Sequence, residues 1–129
     1  MRIGRREALE LWRRAVSRIV RFDGPDITLR QMAILSRVHL TPGPHTVRGL
    51  AENLKVTKAV VVRALDTLSQ LGFVERRPDP RDKRSVLVVP AARGAAYLSH
   101  VGDIVAFAAE DSGQREQGAA RDADTRRVA

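Results

Sequence analysis

The sequence predicts a mainly helical fold carrying one small two-stranded antiparallel hairpin (class α+β), and three observations support it. Apolar residues recur at helical spacing in four separate stretches before residue 72. Two β-like runs, 73–77 and 85–89, then flank a polar segment holding Pro78 and Pro80. A last helical stretch begins at about Ala91. The chain has 129 residues, enough for a single core. It is too short for a barrel enzyme or a doubly wound nucleotide-binding fold. With 43% hydrophobic and 29% charged residues it reads as folded, and without cysteine it has no disulfide framework and no thiolate metal site.

Each element has its own signal. In the first helix, expected within residues 1–22, Leu9, Trp12, Val16 and Ile19 form one stripe with arginines opposite. Asp23-Gly-Pro breaks it. Thr28-Leu-Arg-Gln31 reads as a capping box opening a second helix to about His39, with Met32, Ile34 or Leu35, and Val38 inward. Thr41-Pro-Gly-Pro-His45 reads as a loop. A short helix from Thr46 to Leu54 and a longer one from about Thr57 to Leu71 follow, ended by Gly72 at the C′ position. Centring the long helix on Val61 brings Ala64, Leu65 and Leu68 inward and leaves Ala59, Arg63, Asp66 and Gln70 opposite.

Two helices, a tight turn and a basic hairpin make a winged helix-turn-helix over 28–90. Ala51 is the small residue where the helices touch, and Leu50, Leu54, Val56, Val61 and Leu65 line the inner faces. The turn residue, often glycine, is Lys55, which costs about 1 kcal/mol if it is left-handed. The formal charge is +8, and it is concentrated in residues 1–21, with seven Arg and two Glu, and in 55–90, with eight basic and four acidic residues. Such an excess favours a polyanionic partner.

Thr46-Val-Arg-Gly-Leu-Ala-Glu-Asn-Leu54, Leu65-Asp-Thr-Leu-Ser-Gln-Leu-Gly-Phe-Val74 and above all the hairpin Glu75-Arg-Arg-Pro-Asp-Pro-Arg-Asp-Lys-Arg84 resemble the MarR family of transcription regulators, over roughly residues 28–98. The resemblance implies a homodimer on pseudo-palindromic promoter DNA, acting as a repressor and released in many members by a small aromatic acid. It also implies a recognition helix at 57–71 in the major groove and a wing at 78–84, with Arg81 in the minor groove. Arginine suits a narrow minor groove because of its enhanced negative potential. Thr46, Lys55, Lys58, Arg76, Arg77, Lys83 and Arg84 are expected on phosphates. Thr57, Ala59, Val60, Val62 and Arg63 are expected at the major groove, where Arg63 can bind guanine and the valines thymine methyls. Asp79 and Asp82 are expected to pair with Arg77, Lys83 or Arg84.

The sequence departs from its relatives at Ala59, Val60 and Val62, where small hydroxyl residues are common. It departs again at Val89-Pro-Ala-Ala-Arg-Gly94, where a threonine-capped helix start is usual. Dimerisation is expected from Leu9, Trp12, Val16 and Ile19, with Leu98, Val101 and Val105 of a C-terminal helix at 91–110. Residues 111–129 lack apolar periodicity and are expected to form a disordered tail. His39, His45 and His100 lack metal-ligand spacing, so neither metal nor cofactor is expected. No nucleophile with its base can be assembled, so an enzyme is not expected. With no long apolar run and a broken, arginine-rich N-terminus, the expected location is the cytoplasm, away from membranes. Two rival readings share the fold. In one, the module binds another regulator through its basic first helix. In the other, it binds nucleoid DNA or RNA without sequence preference.

Overall fold

The computed structural model describes the backbone of residues 2–128 and the side chains of residues 2–111. The elements are α1 (Arg5–Arg21), α2 (Leu29–Leu40), β1 (His45–Thr46), α3 (Val47–Leu54), α4 (Lys58–Gln70), β2 (Val74–Pro78), β3 (Val86–Pro90) and α5 (Ala92–Val128). Two expectations are corrected. The sheet has three antiparallel strands in the order β1-β3-β2, because His45 and Thr46 leave the expected loop to pair with Val88 and Leu87. And α5 continues past residue 110, where a disordered tail was expected. Residues 114–123 are rich in Ala, Arg, Gln and Glu, whose helix propensity needs no apolar stripe. The side chains of that stretch lie outside the described residues.

The chain divides into two compact units, residues 26–99 and residues 1–25 with 100–129. The first is the winged domain, wider than the expected 28–90. Its core is Ile34, Leu35 and Val38 of α2, Leu50 and Ala51 of α3, Val61, Ala64, Leu65 and Leu68 of α4, and Val74 and Val88 of the sheet. The capping box forms as read: Gln31 N donates to Thr28 Oγ1 at 3.1 Å, and Thr28 N to Gln31 Oε1 at 2.8 Å.

The first turns of α5 belong to this unit because they close its core. Tyr97 is buried and stacks on Phe73 with ring centroids 4.8 Å apart. Gly94 is buried against the chain just before β2. A Cβ there would lie 2.2 Å from Phe73 O and 2.5 Å from His39 Nε2, which itself contacts Phe73 O at 2.9 Å. Burial pushes the Tyr97 phenol above the ordinary tyrosine range, and the negative charge of Asp26 adds to the shift. The folded pKa therefore exceeds the unfolded one. Its contribution to stability is complete below about pH 10 and is lost as pH rises through the folded value. Thermal melts at increasing alkaline pH are expected to show a falling Tm that Tyr97→Phe flattens.

The second unit pairs α1 with the later part of α5, running antiparallel. Arg14 Nε lies 3.5 Å from Asp111 Oδ2, the Arg18 guanidinium sits 4.1 Å from the Phe107 ring centroid, and Phe22 stacks on His100 at 3.9 Å. Among the described residues, the buried apolar side chains there are Ala15 and Ala108, small enough to let two helices approach closely.

Candidate nucleic-acid interface

Both helices of the helix-turn-helix are opened by a threonine and closed by the same backbone motif. Thr46 Oγ1 accepts from Gly49 N at 2.9 Å, and Thr57 Oγ1 from Val60 N at 3.2 Å. Each hydroxyl keeps its own proton free to donate outward. At the end of α4, Gly72 takes φ +74, Phe73 N donates to Leu68 O and Gly72 N to Ser69 O. The end of α3 repeats this with Val56 N on Ala51 O and Lys55 N on Glu52 O. There the left-handed residue is Lys55, at φ 55 and ψ 45. The expected strain is therefore present, and it leaves an exposed ammonium in the turn. Lys55→Gly is expected to raise stability by at most about 0.5 kcal/mol, the strain relieved less the extra unfolded-state entropy. Denaturant melts check this. Because one cation is removed, the same variant should show a shallower salt dependence on DNA.

On α4 the inward face is Val61, Ala64, Leu65 and Leu68, and Lys58, Ala59, Val62, Arg63 and Asp66 are exposed. Val60 is half-buried, so less of it is presented than of Val62. Arg63 has no ion pair among the described residues, although Asp66 lies three residues on along the same face. Asp66 Oδ1 instead accepts from Arg76 Nη1 of β2 at 2.7 Å. Strand alternation explains the choice. Val74 is buried, so Arg76 two residues on faces the same way, toward α4. Arg77 points to the other side, where its Nη2 donates to Glu75 Oε2 at 2.9 Å.

The wing tip corrects a second expectation. Asp79 and Asp82 do not pair with Arg77, Lys83 or Arg84. Asp79 Oδ1 accepts from Arg81 N and Asp82 Oδ1 from Arg84 N, each at 2.9 Å. Asp82 N on Asp79 O and Ser85 N on Asp82 O complete two successive turns. The carboxylates thus go to backbone amides. Arg81, Lys83 and Arg84 stay exposed, with no ion pair among the described residues. Sequence reasoning missed Asp66 as a partner, although the alternation starting from Val74 was a readable signal for where Arg76 points.

The remaining expected site residues are scattered by exposure. Leu9 and Trp12 are 61% and 54% exposed, Val16 and Ile19 are half-buried, Leu98 and Val101 are half-buried, and Val105 is exposed. Among the described residues no group of three His, Cys, Asp or Glu is placed to hold a metal ion, and no helix is long and apolar enough to cross a membrane.

Residues 27–86 match the model of the MarR family. Over that segment the chain is similar to the MarR family. Among curated relatives, the multiple antibiotic resistance protein MarR of Escherichia coli is 36% identical over 80 residues, covering 62% of this chain and 55% of that protein. An uncharacterized HTH-type transcriptional regulator of Bacillus subtilis, YybA, is 31% identical over 75 residues, covering 58% and 49%. The chain thus spans about half the length of the curated relatives it matches. Among solved structures, wild-type E. coli MarR in its apo form superposes with a TM-score of 0.65 at 25% identity, covering 99% of this chain and 97% of that one. A MepR mutant of S. aureus bound to an oligodeoxyribonucleotide has a TM-score of 0.75 at 18% identity, covering 96% and 91%, and shares the fold. The three-stranded sheet beside the helix-turn-helix is thus the winged arrangement of MarR-family proteins.

Proposed function

We propose that this chain is a sequence-specific double-stranded DNA-binding transcription regulator of the MarR family, acting by binding rather than catalysis. The observation that carries the reading is the set of exposed cations Lys55, Lys58, Arg63, Arg81, Lys83 and Arg84. None has an ion-pair partner among the described residues, and all lie on the turn, the recognition helix and the wing tip. In this reading α4 enters the major groove, with Arg63 on guanine and Val62 and Ala59 near thymine methyls. Arg81 enters the minor groove. Thr46, Thr57, Lys55, Lys58, Arg77, Lys83 and Arg84 hold the phosphates. Arg77 joins them cheaply, because an exposed i,i+2 pair is worth at most about 1 kcal/mol. Arg76 is left out of that set, since its guanidinium is held on Asp66.

The finer parts of the proposal are a homodimer, repression of the bound promoter in the cytoplasm, and release by a small aromatic acid. Support for the dimer is the exposure of Leu9 and Trp12, large apolar side chains that α1 leaves to solvent. Fluorescence anisotropy at about 150 mM salt tests the central claim, comparing the DNA upstream of the protein's own gene with a shuffled duplex. A preference of about a thousandfold is expected. Equal weak binding to both would overturn it.

A further inference from the structure

We propose that Asp66 is a positioning residue for sequence reading. It holds Arg76 against the recognition helix, fixing the root of the wing and keeping that guanidinium off phosphate. The inference rests on the DNA-binding reading above. An exposed carboxylate on the outer face of α4 repels the polyanion that the rest of this surface attracts. Its presence there calls for a return other than affinity, and the geometry supplies one. The 2.7 Å bond joins two residues ten apart in sequence, one on α4 and one on β2, at the point where the wing leaves the core.

Three features make this contact a brace rather than a passing surface pair. The Arg76 side chain is 34% exposed against 63% for Arg77, so its stem is packed and its reach restricted. The buried Val74 fixes the strand face on which Arg76 lies. And Arg63, one turn before Asp66 on the same exposed face, takes no share of the carboxylate among the described residues. Arg63 is thereby left for base contact while Arg76 is occupied. Two arginines near one groove are thus given different tasks by a single acidic residue.

The test uses full-length protein, a duplex enriched by the wild type from a random-sequence pool, and a shuffled version of that duplex, each titrated over a range of salt. Asp66→Ala is expected to bind the shuffled duplex about tenfold more tightly at low salt. Its log–log salt slope should steepen by about 0.9, one further phosphate neutralised by the freed Arg76. Its preference for the enriched duplex should fall about tenfold. Loss of a negative charge alone would also tighten binding, so the deciding background is Arg76→Ala. There Asp66→Ala is expected to leave both slope and preference unchanged. Asp66→Glu, which can still reach Arg76, should keep the wild-type preference within about threefold. In the free protein, Asp66→Ala should also speed hydrogen exchange in residues 75–88, which charge removal without loss of bracing would not do. An unchanged preference in Asp66→Ala, or the same loss in the Arg76→Ala background, overturns the inference. If the wild type itself shows no preference between the duplexes, the DNA-reading proposal fails and takes this one with it. A wild-type preference that the variants leave intact sinks the brace alone.

Discussion

Arg81→Ala is expected to weaken DNA binding by about 1–3 kcal/mol while leaving the thermal midpoint unchanged. The separation follows from how the wing tip is built. Arg81 contributes its backbone N–H to Asp79 Oδ1, a bond that alanine makes equally well, and its side chain is exposed without an ion pair among the described residues. Removing the guanidinium therefore takes nothing from the fold. What it takes from the complex is a planar cation suited to the negative potential of a narrow minor groove. Lysine at the same position should restore part of the affinity, as a point charge without the fork. Anisotropy titrations at two salt concentrations, beside a thermal melt, check both halves. An affinity equal to wild type at both salts would remove Arg81 from the interface.

Gly94→Ala is expected to destabilise the winged unit by about 3 kcal/mol, at the upper end of overpacking costs. The new methyl carbon would start 2.2 Å from Phe73 O and 2.5 Å from His39 Nε2. Neither neighbour yields easily. Phe73 O belongs to the chain leaving the left-handed Gly72, and its ring is held under Tyr97. The first turn of α5 would have to lift off the core, unstacking Tyr97 from Phe73 as it went. For a unit of this size the loss corresponds to a fall in Tm of roughly 12–24 °C, read by calorimetry. DNA binding should weaken with it, because Phe73 leads directly into β2. A Tm within about 2 °C of wild type would mean that helix and elbow can separate at little cost.

Local chemistry made much of this fold legible. Thr28 and Gln31 announced their capping box by spacing alone, Gly72 announced the end of α4, and centring that helix on Val61 gave its buried face residue by residue. Lys55 was readable as a left-handed residue because the helix-turn-helix fixes the backbone there whatever the side chain. What stayed hidden lay either below the length of a pattern or across the chain. Two residues, His45 and Thr46, are too few for alternation to register, so β1 passed for loop. The Asp66–Arg76 bond spans two elements, so no local spacing announces it, and Arg76 was expected on phosphate instead. Asp79 and Asp82 were read by charge, whereas a short carboxylate beside a backbone amide in a turn satisfies that amide before it reaches for a distant cation. Past residue 110 the sequence lacked an apolar stripe, but a helix of Ala, Arg, Gln and Glu needs none.

The two residues of β1 have a mechanical consequence. Thr46 pairs with Leu87 of the wing and is also the cap of α3, so the central strand β3 is tied to the start of one helix. The edge strand β2 is tied to α4 through Arg76. A hairpin clamped along one edge would swing like a door. Clamped along both, it behaves as a short cantilever whose compliance is confined to residues 79–85. A load applied at Arg81 then bends the tip without rotating the strands. The span from that tip to α4 is thereby held to a nearly fixed length.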